Sequence, residues 1–226
     1  MTTLVDLSVP RRVHVVAAGG AGMSAIATVL VESGHVVSGS DAVDSDALRR
    51  LERLGAQVAV GHDADAVAGV DLVVVSTAVP ADNPEVAAAR RAGIPVLSRR
   101  ELLPSLAEVQ PFLSVAGTHG KTTTSSMLAV ALTGAGASPS FLVGAEIPAL
   151  GAAAGFRSGT WMVLEADESD ATFLAGPRAG AIVTNLEPDH LEFWGGWAQL
   201  RDGFVEFLND TAGPRLLCAD DEGARS

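Results

Sequence analysis

Lysine is almost missing from this chain of 226 residues: the 15 cationic side chains are arginine in every case but Lys121. Cysteine is as scarce. Cys218 stands alone, which excludes an internal disulfide and a cysteine-based zinc site and fits a reducing cytoplasm. Long apolar runs are missing too. Met1 to Pro10 has no h-region and does not read as a secretory signal. The uncharged stretch 122–145 is broken by Ser, Thr, Gly and Pro139, so it reads as helix, loop and strand rather than a membrane span. Positive charge is in deficit overall: a formal net charge of −12 argues against nucleic acid or an anionic membrane as the main partner. An acidic protein that binds an anion must concentrate positive charge locally.

What is present is apolar residue, 48% of the chain, and 24 glycines, a composition suited to an α/β protein with many tight strand–helix turns. The first hundred residues alternate short apolar runs with helical patterns, as parallel βα units do. Strands are expected at Val13–Ala17, His35–Ser40, Leu72–Ser76 and Val96–Ser98. Helices are expected at Gly22–Glu32, at Asp44–Leu54 with Gly55 as its cap, and after Asn83-Pro84. Pro104 to Pro111 reads as an interdomain connection, because both prolines resist continuing a helix. A second α/β unit begins at Phe112. The expected division is a Rossmann-like domain over 1–107 and a second α/β domain over 108–226. Arg215–Cys218 reads as a buried strand, with Cys218 a core residue, and Asp220–Arg225 as the opening of a helix. The chain stops before that helix could bury anything, which reads as a fragment.

Three strand ends carry the chemistry. Phe112–Ala116 reads as a strand and Thr122–Thr133 as a helix, and between them runs Gly117-Thr118-His119-Gly120-Lys121-Thr122-Thr123-Thr124. Such a turn lets backbone N–H groups crowd around phosphate oxygens while an ammonium reaches the outer phosphates and a hydroxyl holds Mg²⁺. The lone lysine in this setting marks a nucleotide triphosphate site. After the strand Trp161–Leu164 comes Glu165-Ala166-Asp167-Glu168-Ser169-Asp170. Four carboxylates in six residues are costly unless cations compensate, and Mg²⁺ shared with phosphates is the natural one. After Ala181–Val183 comes Thr184-Asn185-Leu186-Glu187-Pro188-Asp189-His190, where His190 is a candidate metal ligand or phosphate-orienting group. In the first domain, Ala17-Ala18-Gly19-Gly20-Ala21-Gly22 opens a helix as a dinucleotide fingerprint does, with Ala17 in place of the first glycine. Asp41 ends the next strand, where it could accept a ribose hydroxyl. The turn does not say whether its diphosphate belongs to NAD or to a nucleotide sugar. Ser76 and Thr77 form a polar turn at another strand end. His14, His35 and His62 have no such company. Trp194 and Trp197 read as packing residues, the latter in register with Leu200, Phe204 and Phe207.

Taken together, Gly19-Gly20-Ala21-Gly22-Met23-Ser24, Ser38-Gly39-Ser40-Asp41, Gly117 to Thr124, Glu165 to Asp170 and Thr184 to His190 resemble the Mur ligase family over essentially the whole chain. The phosphate loop and the acidic block point to its alanine-adding branch. The resemblance implies a Rossmann-like domain for the UDP part of the substrate, contacted by Gly19, Gly20, Ala21, Gly22, Met23, Ser24, Asp41, Ser76 and Thr77. It implies a central ATPase domain, incomplete here, with ATP at Gly117, Thr118, His119, Gly120, Lys121, Thr122 and Thr123. Mg²⁺ would be held by Thr122, Glu165 and His190, with Lys121, Glu165 and His190 serving catalysis. By the same resemblance, the family's C-terminal domain, which helps bind ATP and the amino acid, is expected to lie outside this sequence. The implied reaction is ATP-driven amide formation between L-alanine and the lactyl carboxylate of UDP-N-acetylmuramate through an acyl phosphate, in peptidoglycan precursor synthesis. Ala17-Ala18 departs from the usual Gly-Ile. No lysine follows Lys121, which excludes the carbamylated lysine that sister ligases use. An NAD-dependent oxidoreductase, a non-catalytic nucleotide-binding fragment and a sister ligase adding a peptide remain as other readings of the same residues.

Overall fold

A computed structural model of the chain describes residues 4–225. Two compact units divide it, one running up to Ser105 with Ala154–Arg157 added, the other comprising Leu106–Ala153 and the chain from Ser158 on.

In the first unit the chain runs β1 (Arg12–Val16), α1 (Ala21–Glu32), β2 (Val36–Asp41), α2 (Asp46–Arg53), β3 (Gln57–Val60), a 3-10 turn at Ala64–Val67, β4 (Leu72–Val75), α3 (Pro84–Arg91) and β5 (Val96–Ser98). The strands form one parallel sheet in the order β3-β2-β1-β4-β5. Val13, Val15, Val16, Leu72, Val73 and Val74 are fully buried, as apolar strands covered on both faces must be. The order reverses at β1, between β2 and β4. Val16 pairs with Val75, so the glycine turn after β1 and Ser76-Thr77 after β4 lie side by side at the carboxyl edge. Crevices for ligands open at that topological position in parallel sheets. Helix α2 begins where Ser45 accepts the N–H of Leu48, and Asn83 caps α3 by accepting from Glu85 and Val86. Strand β3 was not expected. It is an edge strand with three of its four residues exposed, so it carries no buried face to betray it in sequence.

The proline-flanked stretch expected as a connection is instead a helix, α4 (Arg99–Val109), with Pro104 inside it. Leu102, Leu103, Leu106 and Ala107 are all buried on it. Their burial outweighs the roughly 3 kcal/mol that an interior proline costs.

The rest of the chain contains β6 (Phe112–Ala116), α5 (Lys121–Gly134), β7 (Ser140–Ile147), β8 (Ala152–Gly155, its last two residues counted with the first unit), β9 (Met162–Glu165), β10 (Arg178–Val183), α6 (Leu191–Trp194), α7 (Trp197–Asn209), β11 (Arg215–Leu217) and α8 (Glu222–Arg225). Its sheet has the order β11-β10-β6-β9-β7-β8, and β6 lies parallel between β9 and β10. Leu200, Phe204 and Phe207 of α7 pack with Phe173, Ala181 and Val183 in one core, with Trp194 and Trp197 against its edge. Strand β11 is not the buried strand expected. Leu216 and Leu217 are 58% and 43% exposed, and Cys218, just beyond it, is only half-buried rather than a core residue. Among the described residues no helix is long and apolar enough to cross a membrane.

Candidate functional site

Because β9, β6 and β10 are neighbours running the same way, the three sequence blocks that follow them meet at one sheet edge. Val115 pairs with Glu165 and Ala116 with Val183. Gly117 leaves β6 with φ 133°, and a Cβ there would sit 2.1 Å from Thr184 Oγ1, so the position demands glycine twice over. The loop then ends at Gly120, also left-handed, which caps α5.

The block after β10 acts as a scaffold for that loop. Thr184 Oγ1 and Asn185 Nδ2 donate to the carbonyl of His119, at 2.6 and 2.9 Å, and Asn185 Oδ1 accepts the His119 N–H at 2.8 Å. Thr118 N–H donates to the carbonyl of Asn185, and Thr118 Oγ1 accepts the N–H of Glu187. Sequence reasoning gave this block no such part; its asparagine and threonine were the available signal. Thr118, His119, Gly120, Lys121, Thr122 and Thr123 line an open cavity of about 300 Å³ at the start of α5. A helix N-terminus with unsatisfied N–H groups and a nearby ammonium favours an anion there.

Lys121 is folded back over its own loop. Nζ donates to the carbonyl of Gly117 at 2.8 Å and lies 2.8 Å from Glu168 Oε2. Glu168 is 1% exposed. Burial pushes its carboxyl above the usual carboxylate range, against the pull of the Lys121 ammonium. Trp194 Nε1 donates to the Glu168 carbonyl and fixes the backbone beneath it. The four carboxylates of the acidic block therefore do different things. Glu168 pairs with the lysine, and Glu165 accepts from Thr122 Oγ1 at 2.8 Å and from the Gly144 N–H at 2.6 Å. Asp167 and Asp170 accept backbone N–H groups from Ser169 and Thr172 and hold the loop's shape. The role of Glu168 was not separable from its neighbours in sequence.

Thr122 and Glu165 form a pair of hard oxygen donors beside the cavity, and such donors suit Mg²⁺. Among the described residues no three His, Cys, Asp or Glu side chains converge on a metal position. An ion at this pair would complete its shell from water and phosphate, the usual habit of Mg²⁺. The side-chain contacts of His190 lie within its own block. The residue sits in the left-handed region at φ 52°, its N–H donates to Asp189 Oδ1, and its ring faces Asp189 with 44% of the side chain exposed.

In the first unit, Asp41 Oδ2 accepts the Gly19 N–H at 2.9 Å and Oδ1 the Val43 N–H, so this carboxylate braces the glycine turn. Ala17 adopts φ 62°, the left-handed conformation for which a glycine is the usual choice. Met23 is buried, which leaves only its backbone to the turn, and Ser24 Oγ donates to the carbonyl of Ala21. Ser76 Oγ accepts the Ala78 N–H. A residue missed in sequence stands here: a Cβ on Gly22 would lie 3.1 Å from Arg99 Nη1, so the Arg99 guanidinium rests against the first turn of α1, and its Nε is buried with no hydrogen-bond partner. Nothing in the spacing linked Arg99 to a turn some eighty residues earlier.

Fold and site together define a protein of two parallel α/β units, each with a glycine turn at a strand end, one of them bearing the lysine at the start of a helix. Family models match both parts: the Mur ligase family catalytic domain over residues 12–110 and the Mur ligase middle domain over residues 115–225. The chain belongs to the Mur ligase family. It is 49% identical over 220 residues to UDP-N-acetylmuramate–L-alanine ligase of Symbiobacterium thermophilum, covering 96% of this chain and 45% of that protein. Its identity to the ligase of the same name from Aromatoleum aromaticum is 47% over 219 residues, covering 96% and 46%. The chain thus spans about half the length of the curated relatives it matches. Among solved structures, the UDP-N-acetylmuramate-alanine ligase of Thermotoga maritima superposes with a TM-score of 0.85 at 31% identity, over 94% of this chain and 50% of that one. A UDP-N-acetylmuramate:L-alanyl-gamma-D-glutamyl-meso-diaminopimelate ligase from Neisseria meningitides gives 0.84 at 28% identity, over 96% and 74%.

Proposed function

We propose that this chain supplies the UDP-substrate site and the ATP site of an ADP-forming ligase that joins L-alanine to the lactyl carboxylate of UDP-N-acetylmuramate. The observation that carries the reading is the loop at the end of β6, with Lys121 over the N-terminus of α5 and Thr122 paired to Glu165. The relatives named for this reaction support the choice of substrates. The setting is cytoplasmic peptidoglycan precursor synthesis.

The physical difficulty in the reaction is bringing a carboxylate up to a phosphate, two anions. The loop N–H groups and the Lys121 ammonium neutralise the β- and γ-phosphate oxygens of ATP. The γ-phosphoryl group passes to the lactyl carboxylate oxygen and ADP leaves. The amine of L-alanine then attacks the acyl carbon, and inorganic phosphate departs as the amide forms. Thr122 and Glu165 would hold Mg²⁺, which when bound supplies further charge neutralisation at the phosphates. His190 serves the substrate end of the site. In the first unit Gly19 to Gly22 receive the diphosphate at the N-terminus of α1, Arg99 adds the cation that this turn otherwise lacks, and Asp41, Ser76 and Thr77 reach the uridine end.

Lys121→Ala tests the reading. Calorimetry with a non-hydrolysable ATP analogue and Mg²⁺ should show binding to the chain that the variant loses, with an unchanged circular dichroism spectrum. Affinity retained within about tenfold, or about 1.4 kcal/mol, would overturn the assignment. ADP release that needs both UDP-N-acetylmuramate and L-alanine, in a protein carrying these two units at a relative's full length, tests the acceptor. Release supported by a peptide and not by alanine would instead favour the peptide-adding reaction named for the Neisseria meningitides neighbour.

A further inference from the structure

The most deeply buried charged group of the first unit lies outside every residue assigned so far. Glu85, the second residue of α3, is 0% exposed. Its Oε2 accepts from Ser40 Oγ at 2.7 Å and faces His62 Nδ1 at 2.8 Å, while Oε1 lies 3.4 Å from His14 Nε2. His14 is itself 1% exposed, and its Nδ1 meets Ser38 Oγ at 2.8 Å. One carboxylate thereby ties together β1, β2, α3 and the loop after β3. Asn83 fixes its backbone by accepting the N–H of Glu85.

A buried ionic group is seldom the most stable filling for such a place; apolar side chains of similar volume do as well or better. What it supplies is direction. The end of β2 is where direction is needed. The Ser40 carbonyl accepts the N–H of Ala18 at 2.9 Å, and the next residue, Asp41, accepts the N–H of Gly19. Two of the backbone groups that shape the glycine turn are therefore held by residues whose own position depends on Ser40.

We propose that Glu85 is a positioning residue for the phosphate-binding turn of the first unit, acting through Ser40 and the end of β2 on the backbone of Ala18 and Gly19, so that the turn is pre-set for the diphosphate of a nucleotide sugar. The inference rests on the reading of that turn as the UDP site.

The test uses the 226-residue chain with Glu85→Gln, which keeps the side chain's shape and removes its charge, and with Ser40→Ala, which removes only the relay. UDP and uridine binding are measured by calorimetry, and amide hydrogen exchange is followed at Ala18 and Gly19. Glu85→Gln is expected to weaken UDP about tenfold, equivalent to about 1.4 kcal/mol, while uridine binding stays within about twofold. Exchange at Gly19 should quicken while the amides of the phosphate loop in the second unit keep their rates. Ser40→Ala should reproduce both effects in smaller measure, and it carries the test alone if Glu85→Gln does not fold. Wild-type UDP affinity together with wild-type exchange at Gly19 in either folded variant would overturn the proposal, whatever happens to the melting temperature. If the unaltered chain binds no UDP, yet Gly19 exchange responds to Glu85→Gln, the positioning link stands and the UDP reading of the turn falls.

Discussion

Two buried glutamates, one in each unit, meet opposite fates. Glu85 is pushed up by burial, but the neighbouring side chains of His14, Ser40 and His62 outweigh it and hold the carboxyl down at about 2. Glu168 is buried as deeply, and burial prevails: its carboxyl rises above the ordinary range despite Lys121 at 2.8 Å. The first is surrounded by partners from several elements: Ser40, His62 and His14. The second shares its one cation with the carbonyls of Gly117 and Thr118, and that cation is the group a phosphate would claim. A saturated carboxylate stabilises a frame. An undersupplied one leaves its partner available, which is what a binding loop needs.

The largest effect expected from this contrast is in acid. Glu85 is depressed from 4.5 to about 2. Its contribution is therefore complete above pH 4.5 and is lost as the pH falls through about 2; a shift of this size is worth about 3 kcal/mol. Urea unfolding of wild type and Glu85→Gln between pH 6 and pH 2.5 should show the wild-type advantage shrinking toward the acid end. An advantage independent of pH would mean that Glu85 is not ionised in the folded chain.

Glu168→Gln should do less to stability, within about 1 kcal/mol at neutral pH, because the Lys121 ammonium is not fully buried and keeps the carbonyls of Gly117 and Thr118, while a buried carboxylate is relieved of its charge. Here the sign reverses. A raised carboxyl costs the folded state stability as the pH rises past 4.5, so the variant should compare more favourably with wild type above that pH than below it. Binding of the ATP analogue should be preserved or tightened, since Lys121 no longer has to leave a carboxylate. A loss of several kcal/mol would erase the distinction between the two glutamates. The smallest effect is at Ala17, held at φ 62°. Ala17→Gly should stabilise the first unit by up to about 1 kcal/mol by thermal melting, since glycine adopts that conformation without a Cβ penalty. Destabilisation would show that the methyl group packs better than its backbone suffers.

What the sequence disclosed and what it hid follow from the range of the interactions. Gly117 to Thr124 was legible because glycines and the lone lysine lie within one turn, and the apolar strands before each block announced the strand ends at which Glu165 and Thr184 would stand. The fold class followed from the alternation of short apolar runs with helical patterns. Glu85 was invisible because its partners, at positions 14, 40 and 62, are brought together by the sheet order and by no spacing along the chain. Arg99 against Gly22 was hidden for the same reason. Pro104 misled because a local rule about proline met four buried apolar neighbours on the same helix. Cys218 misled because an apolar strand sequence, Leu216-Leu217, lies at an exposed sheet edge.

The scarcity of lysine offers a direct test of the central claim, that Lys121 exchanges the Glu168 carboxylate for a nucleotide phosphate. With lysine labelled at the side-chain nitrogen, the whole chain gives a single ammonium resonance. On addition of a non-hydrolysable ATP analogue with Mg²⁺ that resonance should shift, and on addition of UDP it should stay in place. A signal that ignores a bound ATP analogue, or that moves with UDP instead, would contradict the account.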